Sequence, residues 1–189
     1  MSIVLNGTTG ITTPALDSVA QFSSADMPAG SVLQVVSNTT ETRTTISGTT
    51  FVDVLSLSIT PQSSSSKIVL ACQFNGVCDN RYGAVKLYRN ATQIAASTTN
   101  VESRTPVWFS LYGNHEEWGA NGWVYTQQTH SGQYVDSPST TSAITYKITA
   151  GNTLNAGSTV VVNGMTNGDN NEAWNHRTIT SLIAMEIAV

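Results

Sequence analysis

The sequence predicts an all-β protein built around one antiparallel β-sandwich, and three observations support this fold class. Charged residues make up only 11% of the 189-residue chain, against 40% hydrophobic residues. The uncharged polar remainder is rich in threonine, which suits a pleated surface, and in serine, asparagine and glycine, which favour turns. Apolar segments also recur at about the 8–12-residue spacing that is typical of a sandwich or barrel.

The predicted strands follow one another from Ser31 to the end of the chain. We expect them at residues 32–36, 51–59, 67–74, 82–88, 93–96, 105–112, 122–130, 143–149, 158–162 and 178–189. The fourth and fifth of these form a predicted hairpin. Asn-Gly pairs beginning at residues 6, 75, 121, 163 and 167 predict tight turns. Neither a capped helical period nor a βαβ alternation follows the N-terminal region, so residues 31–189 predict one sandwich domain of roughly 8 to 10 strands.

Residues 1–30 differ from the rest and predict an extended N-terminal arm outside the sandwich. Residues 6–14 are polar and glycine-rich, residues 15–22 could form a short helix, and residues 27–30 mark a break. A frayed terminus is the alternative to a docking role. The apolar side chains that would anchor the arm to a larger particle are Ile3, Leu5, Ile11, Leu16 and Phe22.

The charge pattern argues against several partners. The net charge is −4, and no two of the eight basic residues are adjacent. Nucleic acid and anionic membrane surfaces both require clustered basic side chains, so we expect neither. No apolar run approaches the roughly 20 residues of a membrane-spanning helix, and the first six residues lack the pattern of a signal peptide. These features predict a soluble chain without membrane insertion.

The two cysteines, Cys72 and Cys78, leave two possibilities. On one extended strand they would lie about 20 Å apart, which is too far for a disulfide. A turn at Asn75-Gly76 would instead bring them together. We expect reduced thiols made in a cytoplasm, because a disulfide scaffold usually has more cysteines in a shorter chain.

Catalytic motifs are missing from the sequence, which predicts neither an enzyme nor a bound cofactor. There is no Gly-x-Ser-x-Gly elbow, nucleotide-binding glycine loop or His-Glu-x-x-His pair. His115 and Glu117 would share one face of a strand and could hold a metal at a trimer axis, but a solvated loop explains them more simply. Asp136 with Glu116 or Glu117 could form the carboxylate pair of a glycosidase, although the sequence shows neither the required separation nor a raised pKa.

Two segments, residues 113–122 and 167–177, combine tryptophan with polar side chains. An indole ring can pack on a sugar while neighbouring polar groups bind its hydroxyls, and loops on a rigid sandwich often carry binding residues. The alternative places Trp108 and Trp123 in the core and the tryptophans of the two segments at a subunit interface. The candidate glycan-binding residues are Trp118, Trp174, His115, Glu117, Asn121, Asp169 and His176.

Four segments together resemble a known family. Residues 7–14, 59–68, 136–147 and 179–187 are similar, in this order, to small tail-fibre-like and virion proteins of tailed bacteriophages of aquatic bacteria. The resemblance implies a jelly-roll-like domain, usually a homotrimer attached to other virion proteins, and supplies no catalytic residues. It therefore predicts a virion location after synthesis in the host cytoplasm.

Two functions are consistent with that location. The chain could be a tail fibre or spike whose tryptophan-bearing segments bind a host-surface glycan. It could alternatively be a head fibre or capsid decoration protein that reinforces the particle without binding a receptor. The sequence alone does not separate them.

Overall fold

The structure is a computed structural model that describes residues 5–6, 10–11, 27–80, 82–99, 102–112, 127–154, 156–165 and 176–189. All regular elements in these ranges are β-strands, which confirms the predicted class. The strands are β1 (Leu5–Asn6), β2 (Gly10–Ile11), β3 (Val32–Thr40), β4 (Thr44–Ser47), β5 (Val52–Ile59), β6 (Lys67–Cys78), β7 (Gly83–Arg89), β8 (Thr92–Ile94), β9 (Phe109–Leu111), β10 (Gln128–Asp136), β11 (Ile144–Asn152), β12 (Thr159–Val162) and β13 (Thr180–Ile187).

The strands from β3 onward form two antiparallel sheets. In the six-stranded sheet, β6 pairs with β10 on one edge, and with β13 and then β12 on the other; β3 and β4 lie outside β13 and β12. In the five-stranded sheet, β11 lies between β5 and β7, whose far edge carries β8 and β9. Leaving aside the additional β4–β12 pair, the strand orders β3-β13-β6-β10 and β5-β11-β7-β8 are those of a jelly roll, with β7, β8 and β9 following one another in the same sheet.

The core lies between the two sheets. The alternating residues Ile68, Leu70, Cys72 and Phe74 of β6 are buried there. They face the buried side chains of the five-stranded sheet, among them Leu87, Tyr146 and Ile148. Such alternation is expected where one side of each strand is covered and the other is not.

Cys72 and Cys78 lie on the same strand, β6, and do not form a disulfide. The strand runs without interruption from Lys67 to Cys78, so the turn expected at Asn75-Gly76 is wrong. Both cysteines are free and buried, which agrees with the extended-strand alternative. Burial raises the pKa of Cys72 to about 12, so this thiol is protonated at neutral pH and a poor nucleophile.

Other sequence expectations are confirmed or corrected. The hairpin is confirmed by the pairing of β7 with β8, with Asn90 at its tip at φ 53°. Strand β4 was not predicted, because Ile46 is its one apolar residue. The strand expected at residues 122–130 instead continues to Asp136 as β10; residues 122–126 lie outside the described chain.

The arm boundary at residue 30 stays a prediction. Gly30 donates its backbone N–H to the Ala188 carbonyl, and Ala188 donates to Ser31, so the chain joins the sheet beside its own C-terminus. The short helix expected at residues 15–22 lies outside the described residues. Of the five anchoring candidates, Leu5 and Ile11 pair across β1 and β2, whereas Ile3, Leu16 and Phe22 are not described.

Candidate functional site

The residues that flank the two tryptophan-bearing segments, 113–122 and 167–177, lie together near the carboxyl end of β6. Gln127, five residues after the first segment, donates a hydrogen bond to the hydroxyl of Thr178, which directly follows the second segment. Tyr112, on the other side of the first segment, donates its backbone N–H to the Gln128 side chain at 3.3 Å. Both segments are therefore connected to the same part of the sandwich.

A network of polar side chains fixes this part of the sandwich. The Asn75 amide oxygen accepts from the Thr129 hydroxyl at 2.5 Å, and its amide nitrogen donates to the Ile179 carbonyl at 2.6 Å. The Thr180 hydroxyl accepts from the Asn75 backbone N–H and donates to the Asn163 side chain. Because Asn75, Asn163 and Thr180 are buried and fully engaged, they hold β6, β10, β12 and β13 in register.

The structure tests the predicted glycan site only at its edge. His176 is exposed close to Thr178. The other six candidates lie outside the described residues: Trp118, Trp174, His115, Glu117, Asn121 and Asp169. Trp108, expected in the core, is partly buried against it and stacks on Phe109 with ring centroids 4.5 Å apart; Trp123 is not described.

Asp136 is committed to an interaction inside the sandwich. Its carboxylate lies 2.9 Å from the Arg89 guanidinium and accepts a 2.6 Å hydrogen bond from the Tyr146 hydroxyl. Burial, followed by the bond to Asp136, raises the pKa of Tyr146. Asp136 is buried, so it joins the two sheets and is not available as one carboxylate of a glycosidase pair.

A second feature of the molecule is the outer surface of the six-stranded sheet, which we call the neutral face. It consists of the outward-pointing residues of four neighbouring strands. Apart from Lys67, which pairs with Ile187 at one end of the face, none of these side chains is ionisable: Val32, Val35, Ser37, Thr39, Val69, Ala71, Gln73, Ser131, Gln133, Val135, Ser181, Ile183, Met185 and Ile187.

Strand register arranges the neutral face into rows that run across the sheet. One row is entirely apolar, because Val135 lies opposite Val69, Val69 opposite Met185, and Met185 opposite Val35. Val35 and Val135, at the two ends of this row, are 58% and 56% exposed. The rows become polar toward Ser131 and Gln73. Exposed apolar groups that are contiguous, rather than scattered, usually mark a contact surface.

The outer surface of the five-stranded sheet has the opposite character, and we call it the charged face: Asp53, Ser56, Ser58, Lys86, Tyr88, Thr145 and Lys147. Lys147 lies 3.0 Å from the Asp53 carboxylate. Lys86 lies over the Phe51 ring, 3.9 Å from its centroid. This surface therefore satisfies its charges within the chain.

Sequence reasoning did not identify the neutral face. The apolar alternation of β6 and β13 indicated which residues point into the core, but not which residues of distant strands become neighbours. Only the register places Val35 of β3 in line with Val135 of β10. The one available signal was the scarcity of charge at the outward positions of these strands, where Lys67 is the exception.

The residues that the structure describes contain no group of three or more His, Cys, Asp or Glu side chains that could hold a metal ion. In the same part of the chain, no helix is long and apolar enough to cross a membrane.

Comparison with known proteins shows similarity at the level of structure only. No protein-family model matches the chain, and no curated protein matches it. Among solved structures, it is similar to a chain in the structure of infectious bursal disease virus Gx strain, with 12% sequence identity and a TM-score of 0.40. The match covers 82% of this chain but only 37% of the viral chain. Similarity at this level carries no statement about function.

Proposed function

We propose that this protein is a non-enzymatic structural component of a bacteriophage virion. The neutral face is the observation that carries this proposal. A sheet surface that spans four strands, carries Lys67 as its single ionisable side chain among these strands and is crossed by an exposed apolar row suits lasting contact within an assembly. The family resemblance of the sequence supplies the setting, including the homotrimer and an N-terminal arm that docks on other virion proteins.

Within the virion, we favour a tail fibre or spike that binds a host-surface polysaccharide. The residues that flank the two tryptophan-bearing segments support one shared binding site, because the Gln127–Thr178 hydrogen bond connects both segments to the same region of the sandwich. Trp118 and Trp174 would stack on sugar rings, while His115, Glu117, Asn121, Asp169 and His176 would bind hydroxyl groups. A shared attachment region is a precondition for the two segments to act on one ligand.

The second candidate is a head fibre or capsid decoration protein. The neutral face favours it, since a protein that reinforces a particle needs contact area and no receptor site. In this role the tryptophans would pack between subunits, where tryptophan is enriched.

Immunogold electron microscopy of intact particles, with antibody against this chain, tests the proposal. Label at the tail supports host recognition, and label over the capsid supports decoration. Particles that carry no label, although the antibody detects the purified chain, would contradict a virion role.

Alanine substitution of Trp118 and Trp174 separates the two candidates. For the fibre, we expect phage adsorption to fall by roughly tenfold or more, with particle number unchanged, because stacked aromatic rings are typical binding hot spots. Leu154→Ala is a suitable control, since this side chain is 71% exposed and lies in a different loop. Normal adsorption of the double variant would exclude the glycan site, and an assembly defect would indicate the interface role.

A further inference from the structure

We infer that the neutral face binds the neutral face of a second copy of this chain. This inference extends the proposed structural role, and depends on it only for the biological setting. The surface lies opposite the core, so it makes no contribution to packing between the two sheets. Val32, Val35 and Val135 are each more than half exposed on it, and covering them would remove apolar area from water.

The chemistry of this face argues for a copy of itself over other partners. An anionic lipid or a nucleic acid would require basic side chains, and a sugar would require an aromatic ring. The outward-pointing residues of the neutral face include one basic side chain, Lys67 in the end row beside Ile187, and no aromatic ring. A second neutral face is compatible in charge, because each copy contributes only this exposed lysine at the end of the face and the contact buries no other charge.

The distribution of charge over the molecule supports the same partner. The charged face carries two lysines against one aspartate, so contact between two charged faces would bring like charges together. Pairing through the neutral faces turns Asp53, Lys86 and Lys147 outward, on opposite sides of the pair. The approach is then favoured over contacts made through the charged faces.

The available area sets the expected strength. Four strands about 4.8 Å apart, paired over some seven residues, give a footprint of roughly 20 Å by 23 Å. Two such footprints total roughly 900 Å². Because protruding side chains add area to a flat footprint, the buried area approaches the lower limit of about 1,200 Å² for stable interfaces. We therefore expect reversible association with a Kd on the order of 10 μM, which many copies on one particle would strengthen through multivalency.

Sedimentation velocity of the purified full-length chain, from about 1 to about 200 μM, measures this association. We expect the mean mass to rise with concentration, starting either from one chain of 20.1 kDa or from the proposed trimer. The double variant Val35→Lys and Val135→Lys places a like charge at both ends of the apolar row. We expect it to weaken association by roughly tenfold or more, because each buried lysine would lack a partner.

Two controls make the result specific to the neutral face. Ser58→Lys adds the same charge to the exposed surface of β5 on the charged face, and should associate like the wild type. Val35→Thr with Val135→Thr removes apolar area without adding charge, and should weaken association less than the lysine pair does. Thermal unfolding of each variant verifies that its fold is retained.

Two outcomes would overturn the inference. One is a wild-type protein whose mass does not change over the range, which would leave the face to a different partner. The other is a lysine double variant that associates as strongly as the wild type, which would place the contact elsewhere. Neither outcome affects the proposed virion location, since particle labelling tests that separately. A mass that stays at 20.1 kDa would, however, contradict the proposed homotrimer.

Discussion

The two sheets of this protein differ in where most of their ionised side chains point. The six-stranded sheet directs Asp136 and Glu186 inward and leaves its outer surface neutral, apart from Lys67 at the start of β6. The five-stranded sheet directs Asp53, Lys86 and Lys147 outward to solvent, and Arg89 inward, where it pairs with Asp136. The inward charges each have partners within the fold, whereas the outward charges form contacts along the surface.

This difference separates charges that stabilise the fold from charges that maintain solubility. Taking a charge out of water is costly unless hydrogen bonds replace the lost hydration. An exposed pair loses little hydration and gains little in return. Changes to the inward and outward groups should therefore differ by several kcal/mol in their effect on the free energy of unfolding.

The largest effect is expected at Glu186, which is fully buried. Its carboxylate accepts from the Gln34 side chain at 2.5 Å and from the backbone N–H groups of Gln62 and Ser63 at 2.8 and 3.3 Å. Glu186→Ala leaves these donors without their acceptor and opens a cavity. We expect urea denaturation to show a loss of about 3 to 5 kcal/mol.

The pH dependence of unfolding provides the control for Glu186. Burial opposes its charge, but the bonds from Gln34, Gln62 and Ser63 outweigh burial and lower its pKa. The unfolded chain therefore takes up the proton first, so this stabilisation is present above about pH 4.5 and lost as pH falls further. Glu186→Gln should remove that part of the pH dependence. An unchanged pH profile would contradict the assigned role.

An intermediate effect is expected at Asp136, the inward charge that meets a partner from the other sheet. Asp136→Asn removes the ion pair with Arg89 while retaining an oxygen that can accept from Tyr146. The Arg89 side chain is 30% exposed, so water can partly replace the carboxylate, and we expect a loss of about 2 to 3 kcal/mol by urea denaturation. Tyr146→Phe, which deletes one hydrogen bond, should cost about 1 kcal/mol. Equal losses for the two variants would mean that the ion pair contributes nothing.

A small effect is expected for the outward pair of Asp53 and Lys147. The Asp53 side chain is 61% exposed, and solvent screens the 3.0 Å contact. Asp53→Ala should cost between about 0 and 1 kcal/mol in urea denaturation, and adding salt should reduce even this difference. A loss as large as that of Asp136→Asn would remove the distinction between the two sheets.

The sequence predicted the fold better than the surface, for a physical reason. The alternation of Ile68, Leu70, Cys72 and Phe74 is a local pattern, and so are the turn residues of the β7–β8 hairpin. Strand β10 was only partly predicted, because Gly132 and polar residues interrupt its apolar alternation. Gly132 is small for a tertiary reason, since a Cβ there would lie 2.8 Å from the Phe109 ring.

The candidate sites depended on information that one strand does not contain. Asp136 was considered as a catalytic carboxylate because nothing near it in sequence shows Arg89 or Tyr146. The neutral face required the pairing of four strands, which are distant along the chain. The tryptophan-bearing segments were noticed for their composition, and the structure adds that their flanking residues meet at Gln127 and Thr178.

The smallest expected effect concerns His130, the imidazole on the inner side of β10. It lies beside the Phe109 ring, with centroids 5.9 Å apart, and burial lowers its pKa. As pH falls below about 6.5, the unfolded chain binds the proton first, so the native state loses stability in this range. The melting temperature of His130→Gln should stay constant across the same pH interval. That of His176→Gln, a substitution at an exposed position, should fall as it does in the wild type. If His130→Gln lost stability as steeply as the wild type between about pH 6.5 and 5, the pH response would originate from another group, and β10 would not exclude charge at this inward position.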